Sequence, residues 1–262
     1  MGLADLINAV PLWAMFALTL LLCLSSVEAG AALSRYLLRK SDRDPEAPLG
    51  SIVGSVLGLL AFTLAFTFSL AANRLDARKQ LVLQESNAIG TTYLRAGLMP
   101  AREGLAIRNL LREYVALRLT VTKQNTPEVM RQSEQIHGRL WAQVKLLSQE
   151  KDVDSELRSL LVASMNETID LHQSRKTVAL QYRVPSTVWS ILYLLIVLAT
   201  LALGYQIGMS GVRRLRGAPV LSLAFSLVLL MISDLDRPFE GFLHVSQQPL
   251  MDVQASMAAD SP

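Results

Sequence analysis

Cysteine is almost absent from this chain: Cys23 is the only one in 262 residues. A lone cysteine excludes an intramolecular disulfide, a Cys-rich metal site and a Cys-x-x-Cys redox motif. Histidine is nearly as scarce. His137, His172 and His244 lie far apart in sequence, without the short spacing of metal ligands. No phosphate loop, dinucleotide fingerprint or nucleophile elbow is present. The sequence therefore carries no motif for an enzyme, a cofactor or a His/Cys metal centre. A net charge of +3 is too small to argue for nucleic acid once charges flanking a membrane are allowed for. Strand alternation and asparagine-glycine hairpin signals are also missing, so the fold expected is all-α.

Charge itself is missing from one long stretch. Gly50–Ala72 contains none in 23 residues, enough to cross a bilayer as a helix. The composition around it is mixed, 51% hydrophobic and 18% charged, which suits a membrane protein with a water-soluble part. Beyond Ala72 the sequence turns polar with no proline until Pro100. One helix is predicted to span the membrane and continue into water, reaching roughly 60–70 Å at about 1.5 Å per residue. Ser51, Ser55, Gly58, Phe62, Phe66, Ser69 and Asn73 recur at steps of three and four, so they share one face. Small residues, two phenylalanines and a polar exit suit the lining of a narrow path, which a ring of Phe from several subunits would close by dewetting. The competing reading is that Gly50, Gly54 and Gly58 let helices pack closely while the phenylalanines fill gaps.

Three further spans are predicted. The first, about Leu12–Leu33, has no basic leader or clear cleavage site and is expected to be retained. It contains Glu28, either a gate or ion-contact residue or an interface carboxylate paired with Arg35 or another helix. Trp189–Gly208 and the shorter Pro219–Ser233 supply the third and fourth, with Trp189 expected at the membrane–water interface. Between the second and third spans, Pro100–Tyr182 reads as helical throughout, with Asn125-Thr-Pro127 opening one helix and Asp152–Asp154 marking a turn. Together with the extension of the second span, this makes a bundle of about four antiparallel helices. The chain divides as 1–72 (two spans), 73–184 (bundle), 185–234 (two spans) and 235–262 (a turn-rich tail, frayed from Ala255). Lys and Arg do not orient it. The short loops carry Arg35, Arg39, Lys40, Arg43, Arg213, Arg214 and Arg216, balanced by Arg74, Arg78, Lys79, Arg175, Lys176, Arg183 and Arg237 on the bundle side.

Two charged stretches stand out. Asn73–Asn87 is either a solvated helix face laced with salt bridges or a vestibule in which Arg74, Asp76, Arg78 and Glu85 concentrate ions. In Asp234–Pro249, the carboxylates Asp234, Asp236 and Glu240 offer oxygen ligands for a hard cation or act as a structural clamp; they fit no EF-hand spacing. His172 reads as an ordinary bundle residue.

With these residues in hand, the chain resembles the bestrophin-like membrane proteins of bacteria. The resemblance rests on Leu59–Ser69, Asn73-Arg74 with Arg78-Lys79, Glu85-Ser86-Asn87-Ala88-Ile89-Gly90, Asp234-Leu-Asp236-Arg237-Pro238 and Val245-Ser246-Gln247-Gln248-Pro249-Leu250. Leu75-Asp76 replaces an aromatic pair that follows the pore-helix arginine in many bestrophins. What the resemblance implies is a homopentamer in the bacterial inner membrane. The second span would line a central pore, with its neck at Phe62 and Phe66, and the bundle would be cytoplasmic. The function expected is passive conduction of small inorganic ions through an oligomer in the lipid bilayer. The alternative is a non-conducting sensor or scaffold whose bundle binds a partner.

Overall fold

The structure is a computed structural model that describes residues 10–40, 49–122, 124–150, 153–180, 182–210, 217–239 and 241–260. Among the described residues it is all helical: α1 (Leu12–Lys40), α2 (Leu49–Ala96), α3 (Ala101–Leu119), α4 (Thr126–Leu147), α5 (Ser155–Leu180), α6 (Ser186–Met209), α7 (Ala218–Asp236) and α8 (Gln248–Ala259). Four of these, α1, α2, α6 and α7, are long and apolar enough to cross a membrane. Helices α3, α4 and α5 lie between the second and third of them, as the sequence predicts. The expected single long helix is present: α2 runs unbroken for 48 residues, roughly 70 Å.

The chain forms two compact units. One comprises Met1–Arg74 with Arg183–Leu243, the other Leu75–Tyr182 with His244–Pro262. In the first unit, α1 and α6 approach backbone to backbone. A Cβ on Gly30 would collide with the carbonyl oxygen of Leu201, and one on Gly204 with that of Val27. A Cβ on Gly208 would lie 2.9 Å from the carbonyl oxygen of Ala31. Small residues permit this approach where apolar burial alone gives helices little drive to associate. Met15, Cys23, Val27 and Ala31 of α1 are buried, as are Leu192, Ile196 and Ala199 of α6 and Leu229 and Ile232 of α7. Trp189 is buried within the unit and stacks on Tyr193 with ring centroids 6.3 Å apart. The exposed tryptophan is Trp13, at the start of α1.

The second unit has one apolar core. Val82, Ile89, Tyr93 and Ala96 of α2 meet Ile107, Leu111 and Tyr114 of α3, Ile136, Leu140 and Leu147 of α4, and Leu161 and Met165 of α5. Asn125 stands at the N-cap of α4, but its side chain bonds backwards: Oδ1 accepts from Thr122 N at 2.6 Å and Nδ2 donates to Thr120 O at 2.8 Å. Asp154 does cap α5, with Oδ1 accepting from the backbone N of Glu156 and Leu157.

The tail departs from expectation. It is not turn-rich throughout, and much of Ala255–Pro262 is not frayed, because Gln248–Ala259 is a helix. Pro249 sits in its first turn, where the missing N–H costs nothing. Leu250 and Met257, two turns apart on one face, are buried in the bundle core. Arg112 reaches the Met257 carbonyl at 3.1 Å, and Arg108 pairs with Asp260 at 3.0 Å.

Candidate functional site

The seven residues predicted to share a face of the second span, Ser51, Ser55, Gly58, Phe62, Phe66, Ser69 and Asn73, are all exposed in the single chain. Phe62 is 70% and Phe66 58% exposed. Only Val53, Leu60, Leu64, Thr67 and Ala71 are buried in this half of α2, and they lie on the opposite side. Phe68, also off the row, is half-buried. A Cβ at Gly54 or Gly58 would meet nothing within 4 Å, so neither glycine serves packing inside the chain. The Ser55 hydroxyl donates to the Ser51 carbonyl at 2.8 Å, which keeps its lone pairs turned outward from the helix.

The charged residues that follow are sorted by the fold. Arg74 is half-buried, and its Nη1 lies 3.3 Å from Asp236 Oδ1. Asp76 is exposed and sits 3.5 Å from Lys79. Arg78 is buried. Glu85, expected among the vestibule charges, is fully buried inside the bundle. Arg175 and Arg118 flank it: Arg175 Nη1 pairs with Oε2, and Arg118 Nε lies 3.5 Å from Oε1. Tyr114 donates its hydroxyl to Oε1 at 2.5 Å. Apolar residues occupy the faces on either side of Glu85, so the second unit closes over it and its charge is spent locally rather than projected into solvent.

The acids of the tail also bond within the chain. Asp234 accepts from the backbone N of Phe242 at 2.8 Å and of Leu243 at 3.3 Å. Gly241, the one described residue with positive φ (109°), makes this turn, and a Cβ there would collide with the Asp234 carboxylate. Asp236 accepts from the backbone N of Val184 at 3.1 Å and from Arg74, while its carbonyl takes Arg183 Nη1 at 2.6 Å. Of the two alternatives, the structural clamp is the one these bonds describe for Asp234 and Asp236. Glu240 lies outside the described residues, as do Arg43 and Arg213–Arg216 of the short loops. Glu28 is exposed, and Arg35 lies 3.9 Å from it. Among the described residues no group of three or more His, Cys, Asp or Glu could hold a metal ion.

The group around Glu85 is not legible in the sequence. His137 and His172 are 35 residues apart, on α4 and α5, yet their rings meet edge to face with centroids 4.8 Å apart. The Tyr114 hydroxyl lies 3.0 Å from His172 Nδ1. Burial pushes the His137 imidazole down to about 4. Burial, with the nearby Arg118 cation, pushes His172 down to about 3. Burial and the Glu85 charge raise the Tyr114 phenol well above its usual range.

Comparison with known proteins matches residues 18–250 to the bestrophin-like domain. No curated protein matches the chain. Solved structures share its fold. A single-substitution variant of the bacterial bestrophin homolog from Klebsiella pneumoniae is 14% identical, with a TM-score of 0.66 over 95% of this chain and 98% of the other. A second variant is 16% identical with a TM-score of 0.66 over 93% and 98%. The same homolog solved by zinc phasing is 15% identical with a TM-score of 0.64 over 95% and 98%.

Proposed function

Because this chain belongs to the bestrophin-like family, we propose that it is an oligomeric membrane channel that passively conducts small inorganic ions. The observation carrying this reading is the uncovered face of α2. A membrane-length helix exposes Ser, Gly, Phe, Phe, Ser and Asn in register, and its own chain covers only the opposite side. In a homopentamer of the bacterial plasma membrane, with the bundle cytoplasmic, that face meets its copies around an axis. Phe62 and Phe66 form the apolar neck, a constriction that excludes water when narrow. Ser55 and Ser69 hydrate the path on either side. Asn73, Arg74, Asp76 and Arg78 set the field at the bundle-side mouth; Glu85 takes no part in it. Arg74 is paired with Asp236, so the mouth is less basic than its sequence suggests.

Recording from purified protein in planar bilayers under a potassium chloride gradient tests this. Discrete currents altered by Phe62→Ala with Phe66→Ala support the neck, and the reversal potential gives the sign of the ion. Unchanged conductance and gating in that variant overturn the neck assignment. Silence from folded, oligomeric protein across voltage, pH and calcium favours the sensor or scaffold. Cysteines at Ser55 and Ser69, in a Cys23→Ala background, are expected to crosslink between copies in the pore arrangement.

A further inference from the structure

The buried cluster of the second unit has a definite hydrogen-bond direction. Glu85 lies between two guanidiniums and is an acceptor only. Tyr114 therefore spends its single proton on Glu85. Its oxygen can then only accept from His172, so Nδ1 carries the histidine proton. The other ring nitrogen, Nε2, is left as a lone pair, buried and without a hydrogen-bond partner. His137 Nε2 is likewise buried and unpartnered. The relay runs from His172 through Tyr114 to Glu85, and it works with both histidines neutral.

A further proton on His172 Nε2, or on His137 Nε2, has no acceptor waiting for it. It also adds a cation to a cluster in which one carboxylate already faces two. The groups around it are Glu85 from α2, Tyr114 and Arg118 from α3, His137 and Glu134 from α4, and Arg175 from α5 beside His172. Gln247, at the N-cap of α8, completes the set by accepting from Arg175 at 3.3 Å. Among the described residues Glu134 is the carboxylate near His137 apart from Glu85, and Lys176 already holds it at 2.6 Å. Helices α2 to α5 thus each contribute a residue to a group that tolerates only one protonation state.

We propose that the Glu85–Tyr114–His172–His137 cluster is an acid-operated latch: protonation of the buried histidine pair releases Glu85 and, with it, the extension of α2 from its bundle. The latch is a property of the bundle and does not depend on conduction. Its consequence for the uncovered face of α2 rests on the proposed function and is read separately, as the pH dependence of current.

Hydrogen exchange on the full-length protein in detergent tests the latch, with protection factors corrected for intrinsic rates. Between pH 7 and pH 4, protection across Val82–Ala96 should fall about tenfold or more, the equivalent of one pH unit of linkage. His137→Asn with His172→Asn should abolish that fall. The Asn amide places an N–H donor where Nδ1–H stood and takes no second proton. An equal fall in the double variant assigns the loosening to ordinary carboxylates and overturns the latch. So does a wild type that keeps its protection until global unfolding. If the double variant does not fold, nitrogen NMR of labelled histidine in the wild type decides: loosening with both rings still neutral overturns the proposal. A current that ignores pH while the exchange result holds bears on the proposed channel alone.

Discussion

Two rows of glycines look alike in the sequence and have opposite fates in the fold. Gly204-xxx-Gly208 on α6 is filled by the backbone of α1. Gly54 and Gly58 on α2 face open space. A small-residue row says that a helix can be approached closely; it does not say by what. The first unit uses one row to close on itself and leaves the other uncovered. The bundle is an extreme of closure, since its half of α2 is gripped through Val82, Glu85, Ile89 and Tyr93. One helix therefore carries both a sealed and an unsealed face.

The contrast breaks most visibly where closure is most complete. Glu85→Ala leaves Arg118 and Arg175 in the bundle without their carboxylate, and removing one partner of a buried pair costs about 3–5 kcal/mol. Chemical unfolding of the bundle should register that loss; a change under about 1 kcal/mol would mean that water reaches the arginines. Gly204→Ala comes next. Its new methyl group meets the Val27 carbonyl, and overpacking of this kind costs about 1–3 kcal/mol, seen as a lowered thermal midpoint in detergent.

Acid gives a graded version of the same break. Both bundle histidines are folded in their neutral form, at about 4 and about 3 against an ordinary 6.5. The unfolded chain therefore binds more protons below about pH 6.5. Their contribution to stability is complete above that pH and is lost as pH falls through 4 and 3. Thermal melts of the wild type should steepen in pH dependence across that window, and a His172→Asn variant should show a shallower slope.

The smallest effect sharpens the other side. Gly58→Ala should leave the melting of the single chain nearly unchanged, because no atom waits within 4 Å. The oligomer should respond instead, in crosslinked yield or in conductance. A loss of chain stability equal to that of Gly204→Ala would erase the distinction between the two rows.

The elements were legible because their signals are local. Twenty-three uncharged residues from Gly50, the absence of proline until Pro100, and apolar periods through the bundle each declare a helix within one window. The helix α8 escaped because only Leu250 and Met257 of its residues are buried, too few to make a periodic stripe. The Glu85 cluster escaped for a different reason. Glu85, Tyr114, His137 and His172 are separated by 23 to 87 residues along the chain, and nothing in a window around His172 points to the other three. Asp234 and Asp236 were readable as important acids but not as clamps, because their partners are mostly backbone N–H groups, which every residue but proline carries.

That last feature bears on how this protein can vary. Phe242 and Leu243 give the Asp234 carboxylate only their amide protons, and the Phe242 side chain is 83% exposed. The loop's shape is thus written in main chain rather than in side-chain identity. Homologous chains are free to exchange those two residues for almost any other but proline, while Gly241 and Asp234 must travel together.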